Sequence, residues 1–403
     1  MEARGKNFIF GLMLIAGFLV AFEGLSFAAY LMIRAKYFDV PPNRQAFLSQ
    51  LRAQYEAPHF DENTGWVLPK EAANADGSRI SRDSPAAGAP CLSMYGDSFV
   101  FGAEVSDEYS WGNQIAQRLR CRVLNYGVPG YGTDQAYLRF LHNDGDRSDR
   151  VILNILTEDI VRNVNQNRGY LIAAAGVGPL KPMFYFDGQD QLRLEPTPRL
   201  GPDSYDDLVA NPRHIFKRDY FVPGSNLYAK PRVGFPYSAG MIGALAAKRL
   251  KDSLISTFVT RPPWWEDFAD PSHPSRAFAI TETIVDRFVE TARKRGKRPI
   301  VSFLPQAREY PTRFWNGKWA YSELYARCQS KGYECFDAGT ALVEKLGASR
   351  LQSVQGICRY FCPASNLGGH YNARGNALLA EVTIDYLANR TTFVAPAGGA
   401  PSP

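Results

Sequence analysis

Cys91-Leu92-Ser93-Met94-Tyr95-Gly96-Asp97-Ser98-Phe99-Val100 is the stretch whose reading decides the fold. The apolar run Leu92 to Tyr95 reads as a strand, and Gly96-Asp97-Ser98 breaks it at a turn. Downstream, Trp111, Ile115 and Leu119 share one helical face at i, i+4 and i+8. Arg122 to Asn125 is the next strand, followed by a helix capped by Thr133 with Leu138 and Leu141 inward. Val151 to Leu156 is apolar except for Asn154, as expected of a parallel strand covered on both faces. The same alternation returns late in the chain. Ile280, Ile284 and Phe288 repeat at helical spacing, Gly296 stops that helix, and Ile300 to Leu304 is a strand. A helix around Tyr321 to Ser330, a strand at Tyr333 to Phe336 and a helix from Ala373 to Asn389 complete the set. Five strands alternating with helices predict an α/β fold of three layers, a parallel sheet with helices on both faces and right-handed crossovers. Function in such sheets gathers at the carboxyl ends of the strands.

Outside the alternation lie an anchor, a stalk, an insertion and a tail. Residues 8–33 form a 26-residue stretch with one charge, Glu23, which as a helix rises roughly 39 Å and can span a bilayer with tilt. Arg4 and Lys6 precede it and Arg34 and Lys36 follow, so charge does not orient it. Ser26-Phe27-Ala28 resembles a small-x-small cleavage site, but the apolar core is longer than that of a usual signal peptide, which favours an uncleaved anchor over 1–33. Glu23 is read either as an intramembrane functional group or as an acid tolerated beside a helix partner. No second run of that length follows, so the chain is expected to be bitopic or secreted and not a multi-span transporter. Residues 34–88, with Pro41-Pro42, Gly65-Trp66 and a polar Ala/Asp/Ser stretch, read as a stalk and lead-in to a domain over 89–390. Within that domain, about 165–272 is rich in Pro, Gly, Arg and Tyr and reads as an insertion that interrupts it. The tail 391–403 is expected to be disordered.

Forty-six Lys+Arg against forty Asp+Glu leave +6, thinly spread, which argues against nucleic acid as a partner. With 45% hydrophobic and 13% aromatic residues the chain can bury a sizeable core, so wholesale disorder is excluded.

Three strand exits carry suggestive residues. Gly96-Asp97-Ser98 follows the first strand. Asn125-Tyr126-Gly127-Val128-Pro129-Gly130-Tyr131-Gly132 follows the second, and Thr157-Glu158-Asp159 the third. Just before the last helix stands Gly369-His370-Tyr371-Asn372. A serine at a strand-to-helix turn, a Gly-rich loop and a late histidine are what acyl transfer needs. The hydroxyl attacks, the imidazole takes its proton, and backbone N–H groups receive the oxyanion. A glycine at 130 lets backbone approach that oxygen without a Cβ in the way. No Gly-Lys-Ser/Thr follows the glycines, so a phosphate loop is not indicated. Position 100 is Val where the α/β-hydrolase elbow needs Gly.

These residues resemble the SGNH (GDSL-type) hydrolase family over the sheet-forming parts of 90–160 and 276–390, as in a membrane-anchored bacterial-like member. The block Tyr95-Gly96-Asp97-Ser98-Phe99 implies Ser98 as nucleophile, with its own N–H in the oxyanion hole. The second block implies the N–H of Gly130 in the same hole, and His370 with Asn372 and Gly375 implies His370 as general base. The implied sheet is flavodoxin-like, in the order 2-1-3-4-5. Two positions depart from the family. Its Asp two or three residues before the His is replaced by Gly368 and Leu367, and no acid lies between Glu344 and Glu381. That leaves open Asn366, a backbone carbonyl, a distant carboxylate, or a dyad. The third block normally offers an Asn to the oxyanion, but Glu158 stands there, where a carboxylate would repel developing charge. Either Glu158 turns away or Asn163 or another donor takes over.

His59, His142, His214 and His273 lack comparable context, and Trp264-Trp265 read as packing residues, with sugar stacking or a membrane interface as the sharper alternatives. Cys328-x6-Cys335 and Cys358-x3-Cys362 lack metal-finger spacing, and neither metal nor cofactor is expected. In the family's sheet order Cys91 and Cys121 start neighbouring strands, about 4.8 Å apart. Either a disulfide or two reduced core thiols satisfies that spacing. The expected function is that of a serine esterase or O-acyl transferase, anchored in a membrane through 8–33 and facing an oxidising, extracytoplasmic space. The resemblance implies an acylated small molecule or glycan as substrate. An inactive glycan-binding module, or a subunit partnering a membrane acyltransferase, is the rival reading.

Overall fold

The computed structural model of the chain describes residues 2–81, 90–172, 177–256, 261–361 and 369–390. The expected disordered tail and the alternative at Asn366 lie outside them. The contacts divide the chain into two compact units. One gathers Met1–Tyr55, Asn165–Leu180 and Pro198–Val259, and the other Glu56–Val164, Lys181–Thr197 and Thr260–Pro403.

The second unit holds the sheet. Its strands are β1 (Pro90–Tyr95), β2 (Arg122–Asn125), β3 (Arg150–Leu156), β4 (Arg298–Leu304) and β5 (Cys335–Asp337). They pair in the order β2-β1-β3-β4-β5, all parallel. Every residue of β3 is buried, which explains its near-continuous apolar run. Asn154, the polar residue inside that run, is spent on the neighbouring strand, its Nδ2 donating to the Tyr95 carbonyl at 3.2 Å. On one face pack the helices Thr133–Leu141 and Ala277–Lys294, and on the other Trp111–Leu119, Ala338–Leu346 and Ala373–Arg390. Ile280, Ile284 and Phe288 are all buried on Ala277–Lys294, and the left-handed Gly296 follows its end. Thr133 is the first residue of its helix, and Gly132 takes the cap.

The Cys91–Cys121 alternative resolves to a disulfide, with Cα atoms 5.9 Å apart where β1 and β2 begin. A second disulfide, Cys328–Cys335, ties the helix Ser322–Ser330 to β5. Residues 56–81 belong to the sheet unit, and the stretch read as one insertion contributes a hairpin, Met183–Phe186 with Leu192–Glu195, to the same unit.

The first unit is built on the 36-residue helix Glu2–Tyr37, whose stretch Asn7–Tyr37 is long and apolar enough to cross a membrane. With it go the helices Arg44–Tyr55, Tyr237–Ala244 and Lys248–Ser256.

Candidate active site

β1 ends at Tyr95, and the chain turns at once into a one-turn helix, Ser98–Phe101. Asp97 makes that turn possible, because its buried carboxylate caps the helix by accepting the Phe99 N–H at 2.8 Å. Ser98 is therefore fixed at the carboxyl edge of the sheet, 7% exposed. Its Oγ lies 2.7 Å from His370 Nε2. His370 is held from the far end of the domain. The Tyr371 hydroxyl donates to the Pro305 carbonyl at 2.7 Å, and Asn376 bridges the Tyr371 carbonyl and the Trp111 N–H. The Phe99 ring packs against the imidazole at 4.7 Å.

A carboxylate is absent just before His370 in the sequence, and one reaches it from the Ser98 side of the site. Glu104 Oε1 lies 3.0 Å from His370 Nδ1. A carboxylate only accepts, so the imidazole proton belongs on Nδ1 and Nε2 is left to accept from the Ser98 hydroxyl. Glu104 reaches there because the chain leaves the helix through Gly102 at φ 76° and then takes φ 69° at Glu104 itself. For a residue with a Cβ that conformation costs roughly 1–2 kcal/mol. Arg79 holds the turn, donating to the carbonyls of Phe101, Gly102 and Val105. Nothing in the sequence marks Glu104 except that it is an acid shortly after the serine.

The second block lies against this turn. A Cβ on Gly127 would stand 2.4 Å from the Phe101 nitrogen, so only glycine permits the approach. Gly130 takes φ 84°, and its N–H has no acceptor among the described residues. The Ser98 N–H, at the start of its helix, likewise has none. Trp66 fixes the loop, its Nε1 donating to the Pro129 carbonyl at 3.1 Å while its own carbonyl accepts from the Tyr131 hydroxyl.

The third block departs from expectation in two ways. Asn163 offers nothing to a substrate. It is fully buried, its Oδ1 accepting the Asp134 N–H at 2.9 Å and its Nδ2 donating to Thr281 at 2.8 Å. The fold needs its amide to join two helices. Glu158 is not a free charge either. One oxygen meets Arg162 Nη2 at 2.9 Å and the other accepts from Gln306 Nε2 at 3.0 Å. Arg162 is the hub: its Nη1 also reaches Asp97 at 3.1 Å, Asp159 at 2.8 Å and the Tyr131 carbonyl at 2.8 Å. Burial works against its charge, but Glu158, Asp159 and Asp97 outweigh burial and hold the guanidinium above its ordinary range. Burial pushes the Asp97 carboxyl up while Arg162 pulls it back. Trp264-Trp265 stand edge to face in a short 3-10 helix packed beside Thr157–Arg162. Among the described residues no group of His, Cys, Asp and Glu has the makings of a metal site.

No family model matches the chain, and no curated relative does. A solved structure to which it is similar is described as a "putative lipolytic protein of G-D-S-L family" from Desulfitobacterium hafniense. The match has 14% identity, spans 73% of this chain and 98% of that one, and has a TM-score of 0.32. So low a score carries nothing about function, and the site stands on its own geometry.

Proposed function

We propose that the chain is a membrane-anchored serine esterase. The relay Ser98 Oγ–His370 Nε2 with His370 Nδ1–Glu104, at 2.7 and 3.0 Å, carries the reading. Ser98 attacks an ester carbonyl while its proton passes to His370 Nε2. The N–H groups of Ser98 and Gly130 receive the oxyanion, and His370 returns the proton to the departing alcohol as the acyl-enzyme forms. Water then releases the acid. A hydroxyl acceptor in its place makes the same intermediate an O-acyl transferase, with a glycan ester as the substrate class suggested by the resemblance. The inactive-module alternative draws on the Asp missing before His370 and on the carboxylate of Glu158 in the third block, and the Glu104 and Arg162 contacts weaken both grounds.

The helix Asn7–Tyr37 supports the anchor, and two disulfides fit an oxidising space outside the cytoplasm. Fluorophosphonate labelling of the full chain tests the chemistry. Labelling is expected on Ser98, lost in Ser98→Ala and reduced at least 10³-fold in His370→Ala. Wild-type protein that neither labels nor turns over any ester would return the lead to the binding module.

A further inference from the structure

Residues 233–247, Val-Gly-Phe-Pro-Tyr-Ser-Ala-Gly-Met-Ile-Gly-Ala-Leu-Ala-Ala, carry no charge and are bounded by Arg232 and Lys248. They are too few to cross a bilayer, since a spanning helix needs about 20 apolar residues. Their contacts show where they go. At the start, the Asp39 N–H donates to the Pro231 carbonyl at 3.1 Å, and the Asp39 carboxylate meets Arg232 at 2.7 Å. Six residues later the N–H groups of Tyr237 and Ser238 both donate to the Glu23 carboxylate, Ser238 at 2.9 Å. The chain then returns as helix, and Ser253 meets the Tyr37 hydroxyl.

These pairs act as depth marks along the helix Glu2–Tyr37. From Glu23 to Tyr37 the helix rises about 21 Å. The six residues from Pro231 to Tyr237 reach at most about 20–22 Å when extended. Tyr237 to Ser253, through the helices Tyr237–Ala244 and Lys248–Ser256, climbs about 24 Å at the helical rise. Descent and ascent both match the marks, so this segment runs down the helix to Glu23 and back. Glu23 lies within about 5 Å of the middle of the apolar stretch 8–33.

One side of the returning segment packs on the long helix. Tyr237, Met241, Ala244 and Ala247 join Tyr30, Ile33 and Tyr37 in one apolar cluster. Among the described residues nothing covers the other side: Phe235 is 80%, Ile242 60% and Leu245 53% exposed. The long helix beside it carries apolar side chains, such as Val20 at 73%, that are equally bare.

We infer that residues 232–248 form a re-entrant hairpin that enters the acyl-chain layer of the leaflet on the Tyr37 side and leaves by the same face. The inference rests on the reading of Glu2–Tyr37 as a membrane span. It explains Glu23. The first N–H groups of a helix have no partners of their own, and hydrocarbon supplies none. A carboxylate at that depth is costly unless donors meet it. Each supplies the other's need. Arg232 and Lys248, at the two mouths of the hairpin, stand at the level where Arg34 and Lys36 flank the long helix, as basic residues at a headgroup boundary do.

The full chain in bilayers containing a phospholipid with an alkyne-bearing acyl tail tests this, with a benzophenone amino acid placed singly at Phe235, Ile242, Val20 and Val354. Cross-linking to lipid is expected at Phe235 and Ile242 within about threefold of Val20, and none at Val354. Lipid cross-linking at Val20 with none at Phe235 or Ile242 would overturn the hairpin and leave the anchor standing. Absence at Val20 as well would overturn the anchor, and the hairpin with it.

Discussion

In the sheet unit three carboxylates, Asp97, Glu158 and Asp159, converge on one guanidinium at the carboxyl ends of β1 and β3. In the unit built on Glu2–Tyr37 a single carboxylate, Glu23, meets two backbone N–H groups and the Ser238 hydroxyl, which follow it by more than two hundred residues. The first arrangement compensates charge with charge inside a protein core, where the partners lie within a few residues of recognisable strand exits. The second compensates charge with helix-end N–H groups and one hydroxyl on an apolar surface, where a full counter-ion is absent among the described contacts. A polar group in a water-excluded place must be met, and on the reading of Glu2–Tyr37 as a membrane span what meets it differs between a protein core and a lipid surface.

The sharpest way to break the charge-with-charge half is to remove its hub. Arg162→Ala would leave Asp97 and Asp159 buried without their cation, and loss of one partner of a buried pair costs about 3–5 kcal/mol. Denaturant unfolding should register that loss, together with the loss of fluorophosphonate labelling, because Asp97 caps the turn that carries Ser98. A variant that stays within about 1 kcal/mol of wild type would mean that Arg162 does not organise the site.

A second buried acid in the same unit sharpens the contrast, because no cation pairs with it among the described residues. Glu309 sits beside Gln306, whose N–H it accepts at 2.6 Å, and burial pushes its carboxyl up to about 7. A carboxyl whose folded pKa exceeds its unfolded one, about 4.5, holds its proton on folding. Its contribution is complete below about 4.5 and is lost as pH rises through about 7, roughly 2–3 kcal/mol between pH 5 and 8. Unfolding free energies measured across that window should fall with pH in wild type and fall less in Glu309→Gln. Equal slopes would show that Glu309 is ionised in the folded protein.

The smallest effect tests the dipole half. Glu23→Leu keeps the apolar length of the anchor but removes the acceptor for Tyr237 and Ser238, so lipid cross-linking at Phe235 should fall severalfold while that at Val20 is unchanged. Glu23→Gln, which still accepts through its carbonyl, should lose less. No change at Phe235 in Glu23→Leu would show that the hairpin needs no cap.

Much of this was legible beforehand, for physical reasons. The apolar runs at Leu92, Val151 and Ile300 and the helical period at Ile280, Ile284 and Phe288 follow from burial on one or both faces, and burial leaves a local trace. Ser98 and His370 were legible as the residues flanking strand and helix ends. Glu104 was not, because its role depends on a left-handed backbone at a residue that usually avoids it and on Arg79 gathering three carbonyls around the turn. Arg162 was not, because an arginine one helical turn after an acid reads as an ordinary surface pair. Asn163 reads as a candidate donor but is buried between two helices, and sequence does not tell such an amide from one facing a substrate. The hairpin stayed hidden because its contacts tie residue 23 to residues 237 and 238.

Glu104 completes the relay, and its removal tests the account most directly. The rate at which a fluorophosphonate or an activated ester acylates Ser98 should be measured in the full chain and in Glu104→Gln, with circular dichroism confirming equal folding. An amide at that position removes the negative partner of His370 Nδ1 and can present its own N–H there, so the imidazole loses both its tautomer and the stabilisation of its cation. The account predicts a fall of roughly 10²–10⁴-fold, with Glu104→Asp retaining more than Glu104→Gln. An acylation rate in Glu104→Gln equal to that of wild type would contradict it.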